Sequence, residues 1–143
     1  MKLYLKIFFI LVLGISCHAS AQKDKKDDLS KKDSIDGVYI PANLDDCIRH
    51  IDAMWSDSVK NEVMKMTEEE FISRAHFGFG LWMRNNWGLW AGSRLAVYFN
   101  GIGIFHPDDM SAIILTSYYR KLKGENIRLD EQVKYYQNYW KKQ

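Results

Sequence analysis

Along most of the chain, apolar residues recur at the three-to-four-residue spacing of helices with one buried face. Leu44, Cys47, Ile48, Ile51, Met54 and Trp55 follow Asn43, an N-cap residue type, and predict a first helix over 44–55. Ser56 or Asp57 starts a shorter helix, with Val59, Val63 and Met66 on its buried side. Thr67-Glu68-Glu69-Glu70 has the form of a capping box and opens a third helix over 68–86, with Gly88 just past its end. Ser93 to Phe99 reads as a fourth helix, stopped by Asn100-Gly101. His106-Pro107-Asp108-Asp109 opens a fifth: proline suits the first helical position, and acids suit the first turn. Gly124 ends it, and Asp130 is placed to cap a last helix reaching about 141. No repeat and no β-hairpin signal is read. The expectation is an all-α, compact single domain of five or six short helices over residues 37–143.

One stretch departs from this regularity. His76 to Arg94 holds three of the chain's five tryptophans (Trp82, Trp87, Trp90), four glycines and the polar run Arg84-Asn85-Asn86. Large aromatics need a core or a partner to cover them. Glycine inside a helix costs about 1 kcal/mol relative to alanine, so close approach of another backbone is expected at Gly78 and Gly80. The stretch is expected to be the centre on which the other helices pack. Along the third helix two stripes compete: Phe71, Arg74, Gly78, Leu81 and Asn85 on one side, and His76, Gly80, Met83, Arg84 and Trp87 on the other.

The N-terminus carries a different pattern. Lys2 and Lys6 precede the apolar run Ile7–Ile15, and Ala19-Ser20-Ala21 fits a signal-peptidase site, so residues 1–21 read as an export signal. The run is too short for a spanning helix, which needs about 20 apolar residues, and no transmembrane segment is expected in the mature chain. Gly14-Ile15-Ser16-Cys17 gives an alternative, a lipoprotein signal with a lipid anchor on Cys17. The expected location is periplasmic or secreted, or the membrane surface if lipidated. Residues 22–36, with five lysines and five aspartates, have too little apolar surface to fold and read as a disordered charged linker.

Processing also changes the charge. The chain has 20 basic and 18 acidic residues, and losing Lys2 and Lys6 leaves 18 of each. A nucleic-acid partner calls for a clustered basic surface, and none is read. Cys47 then stands alone, on an apolar stripe, as a buried small side chain rather than a nucleophile.

Candidate chemistry centres on two blocks. The Arg84 guanidinium offers a donor fork for carboxylate or phosphate, and Asn85 and Asn86 offer donors and acceptors beside Trp87, Trp90 and Arg94. The competing reading makes the asparagines a helix end and pairs Arg84 with a buried acid. His106, Asp108 and Asp109, joined by His76, suggest acid–base or metal chemistry; helix initiation accounts for the same residues without it. No catalytic residue, metal or cofactor is assigned. The aromatics Tyr118, Tyr119, Tyr135, Tyr136, Tyr139 and Trp140 read as packing, with sugar stacking as the alternative.

The runs HFGFGLWMRNN and HPDDMS, with TEEEF before and EQVKYYQNYW after, resemble an uncharacterised bacterial family, a domain of unknown function of the DUF6794 type. The resemblance makes His76, Arg84–Asn86 and His106–Asp109 family-typical and implies no activity. The functional expectation is an exported, non-catalytic binding or envelope accessory module for a protein, peptide or glycan of the cell envelope. The alternatives are a small hydrolase using His and Asp, and an inhibitor or immunity-type protein.

Overall fold

The computed structural model describes residues 28–143. The segment expected to be an export signal, Cys17 and the first part of the charged stretch lie outside the described residues. From Asp28 the linker is not disordered: a 3-10 turn spans Leu29–Lys31, and strands β1 (Ser34–Ile35) and β2 (Val38–Tyr39) pair antiparallel, Ile35 opposite Val38. This corrects both the disorder expected through Asp36 and the absence of a hairpin. The two turn residues, Asp36 and Gly37, have φ of +49° and +80°. Asp-Gly is favoured in such a turn because its twist matches that of paired strands. Ile35 and Val38 then pack on the core.

The helices are α1 (Leu44–Met54), α2 (Asp57–Met64), α3 (Glu68–Ala75), α4 (Leu81–Asn86), α5 (Arg94–Gly101), α6 (Pro107–Leu122) and α7 (Leu129–Trp140). A π-helical segment, His76–Gly80, joins α3 to α4 without a break, so residues 68–86 form one run and the described residues hold six helices by that count. Asn43 and Ser56 cap α1 and α2 as expected, and the Thr67–Glu70 capping box is complete. Leu44, Cys47, Ile48 and Ile51 of α1 are buried, while Met54 and Val59 are exposed.

The π segment resolves the competition between the two stripes. Upstream of it the buried residue is Phe71; from its last residue onward they are Gly80, Met83, Arg84 and Trp87, while Leu81 and Asn85 are exposed. One wide turn inserts an extra residue. It rotates the buried face from one stripe to the other. The glycines play unequal parts. A Cβ at Gly80 would stand 3.2 Å from both the Ala75 carbonyl and the Arg84 guanidinium, whereas one at Gly78 would meet nothing within 4 Å. Of the two, only Gly80 is closely packed, against the Ala75 carbonyl of its own helical run and the side chains of Arg84 and Leu115.

The centre of the molecule is α6, not the 76–94 stretch. α6 packs against α1, α2, α3, the π segment, α4, α5 and α7. Ten of its residues are buried, among them Met110, Ile113, Ile114, Leu115 and Tyr118. A helix apolar around most of its circumference belongs in a core. Small polar residues let neighbours approach it: Ser111 and Ser117 are fully buried. α7 lies on the outside of this core. It starts after Arg128, at φ +52°, rather than after a capping Asp130, and its one buried residue is Gln132, whose amide donates to Ser117 Oγ and the Ile127 carbonyl.

Candidate binding groove

The first turn of α6 sends its two aspartates to opposite sides. Asp108 meets the π segment and α4. Its Oδ1 lies 3.3 Å from Arg84 Nε and 3.6 Å from His76 Nε2. Arg84 is buried: Nη1 donates to Ser111 Oγ at 2.8 Å and Nη2 to the His76 carbonyl at 3.3 Å. Its Nε has no aligned hydrogen bond, so the contact with Asp108 is one of charge. Ser111 passes the link on, donating to the Asp108 carbonyl at 2.9 Å. The fork of a guanidinium thus ties the wide turn to the start of α6. His76, Arg84 and Asp108 converge, with His76 and Asp108 partly open to solvent.

The rest of the Arg84-Asn85-Asn86 block does not gather around this cluster. The Asn86 amide donates to the Trp82 carbonyl one turn back, and Asn85 is exposed. Trp87 is fully buried against Phe79 and Trp82, with its indole N–H unpartnered. Trp90 is largely exposed. Arg94 turns to the β2–α1 link, donating through Nε to the Ile40 carbonyl at 2.8 Å and lying over the Tyr39 ring.

Asp109 faces the other way, toward α7. Its Oδ2 accepts from Trp140 Nε1 at 2.7 Å, and the Trp140 indole lies flat on the His106 imidazole, centroids 3.7 Å apart and planes within 13°. Between the Gly103–His106 connector, Asp109 and the last turns of α7 runs an open groove of about 470 Å³, lined also by Phe105, Tyr136, Gln137 and Lys141. Glycine suits position 103: its φ is +80°, and a Cβ there would run into the Gln137 amide nitrogen, which donates to the Ile102 carbonyl. Burial pushes the Asp109 carboxyl above its ordinary value, although the Trp140 hydrogen bond and His106 oppose that. Burial, with Asp109 and Tyr135 nearby, pushes Tyr136 up to about 12. Phe105, Tyr135, Tyr139 and Trp140 all keep substantial exposed surface.

Sequence reading places His106 and Asp109 among the candidates but does not join them to α7. Trp140 and Tyr136 read as packing, and Gln137 goes unnoticed. The signal available was the Gly101-Ile102-Gly103 connector just ahead of His106. Among the described residues no group of three or more His, Cys, Asp or Glu is arranged to hold a metal ion, and no helix is long and apolar enough to cross a membrane.

Fold and groove define a small, predominantly helical domain with an aromatic cleft beside its central helix. The chain belongs to the family described as Domain of unknown function (DUF6794), whose model matches residues 40–122. That span holds α1 to α6, including the His76–Arg84–Asp108 cluster and one wall of the groove; α7, the other wall, lies beyond it. No curated protein and no solved structure matches the chain.

Proposed function

We propose that this protein is an exported, non-catalytic binding module of the cell envelope, and that its ligand seats in the groove between the 103–106 connector and α7. The groove carries the reading. Aromatic side chains and a few convergent polar groups around a cleft are the usual makings of a ligand site. Here His106, Asp109 and Gln137 converge among Phe105, Tyr136 and Trp140. The charged start Lys2–Lys6, the apolar run and the Ala19-Ser20-Ala21 site support export. Titrating the isotopically labelled protein with a soluble envelope extract tests the reading, with the Trp140 indole and His106 ring resonances as reporters. Perturbation centred on those resonances is expected; perturbation confined to Trp90 or Phe77, or none at all, overturns it.

One observation favours a second reading, a small hydrolase. His76 and Asp108 converge beside Arg84, and a histidine oriented by a carboxylate is a general-base arrangement. Against it, the neighbouring hydroxyl of Ser111 is buried and engaged by Arg84 and the Asp108 carbonyl. Turnover of an envelope ester, amide or glycoside that His76→Ala abolishes in a folded protein would establish this reading in place of the first.

A further inference from the structure

Resting on that reading of the groove, we infer that its ligand carries a primary ammonium group on an aliphatic stem, the chemistry of a lysine side chain. Three observations converge. First, Asp109 is the one acidic residue lining the groove. Its Oδ2 is held by Trp140 Nε1, while Oδ1 accepts no hydrogen bond among the described residues. A carboxylate drawn partly out of water, with one oxygen engaged by no protein donor, gains most from a donor that brings positive charge. Second, the walls on either side are aromatic. Phe105 and Tyr136 present ring surface along which an aliphatic stem can lie, and ring faces attract a cation held beside them. Third, one face of the Trp140 indole is already covered by His106 at 3.7 Å, which reduces the flat open platform that a neutral sugar ring would use.

Two features oppose a cation at this spot. The N-terminal end of α6 carries the positive end of the helix dipole, but Asp108 and Asp109 stand in its first turn and offset it. Lys141 also lines the groove, just past the end of α7.

The test compares probes that differ in one property. The full-length labelled chain is titrated with N-acetyl-Gly-Lys-Gly-amide, with the norleucine peptide, whose side chain is the same four-carbon stem without the ammonium, with n-butylamine, and with chitotriose. The expected result is saturable movement of the Trp140 indole and His106 signals by the lysine peptide, with at least tenfold weaker binding of the norleucine peptide. Butylamine moving the same signals at comparable concentration would assign the site to free amines; binding by the lysine peptide alone would assign it to a peptide side chain. Asp109→Asn, which leaves an acceptor for Trp140, should remove the preference for lysine over norleucine while leaving the spectrum otherwise folded. Equal binding of the two peptides, or binding of chitotriose alone, overturns the inference and leaves the groove reading standing. If no probe moves the groove signals while the envelope extract does, the inference fails alone; if the extract also fails, both do.

Discussion

The Arg84 guanidinium reaches the Ser111 hydroxyl at 2.8 Å inside the core, joining two segments 27 residues apart in the chain. It is the point at which the wide turn is fastened to the central helix. Arg84 also serves the His76 carbonyl and faces Asp108, so truncating it strands several polar groups at once. Asp108 is half exposed and is not left as a buried charge, so the loss is that of the buried guanidinium's own hydrogen bonds, about 1.5–3 kcal/mol. Arg84→Ala should lower the free energy of unfolding in urea by an amount of that order. Arg84→Lys should recover only part of it, because an ammonium cannot reproduce the planar fork. A near-neutral Arg84→Ala would show that the arginine is held for something other than folding.

The two glycines of the π segment should respond oppositely to the same change. At Gly80 a methyl group would press to 3.2 Å on the Ala75 carbonyl and on the Arg84 guanidinium, so Gly80→Ala is expected to destabilise and to disturb the Arg84–Ser111 contact. At Gly78 the space is open, and replacing a helical glycine by alanine gains up to about 1 kcal/mol. Gly78→Ala should therefore raise the melting temperature or leave it unchanged. The measurement is paired thermal unfolding, and a Gly78→Ala loss as large as that of Gly80→Ala would contradict this account.

These glycines also show how far the sequence could be read. Caps, stops and stripes act within a few residues, and they placed Asn43, Thr67, Pro107 and Gly124 correctly. The π turn was hidden because an extra residue in a helix leaves two equally regular stripes, and only packing decides which is buried. The hairpin was readable from Asp36-Gly37 but was masked by the lysines and aspartates around it. The primacy of α6 was obscured because Ser111, Thr116 and Ser117 look like surface residues until a buried partner is found for them. The groove pairs His106 and Asp109 with Trp140, 31 residues beyond Asp109, and no local pattern encodes that meeting.

The capping box gives a prediction with a narrower range. Thr67 Oγ1 accepts from the Glu70 backbone N–H at 3.2 Å, and the Glu70 carboxylate accepts from the Thr67 backbone N–H at 2.9 Å. The Thr67 backbone N–H, with its hydroxyl, holds the Glu70 carboxyl below its ordinary value. Thr67→Ala should cost about 1 kcal/mol of stability. Amide exchange should accelerate first in α3, with the groove signals of Trp140 and His106 unmoved.

Asp109 offers the clearest separation of stability from binding. Burial raises its folded pKa above the unfolded value, so between the two values the folded state holds more protons than the unfolded state. Stability linked to Asp109 is then full below the ordinary aspartate range and is lost as pH rises through the raised folded pKa. At neutral pH the charged group is a net cost in the empty protein. Asp109→Asn removes that cost and keeps an acceptor for the Trp140 indole. The variant is expected to match or exceed the parent in urea at pH 7, with the difference shrinking as pH falls below the ordinary aspartate pKa. A variant less stable than the parent at pH 7 would mean that the carboxylate is needed to hold α7 in place. A more stable variant that no longer prefers the lysine peptide would mean that this carboxylate is kept for its ligand.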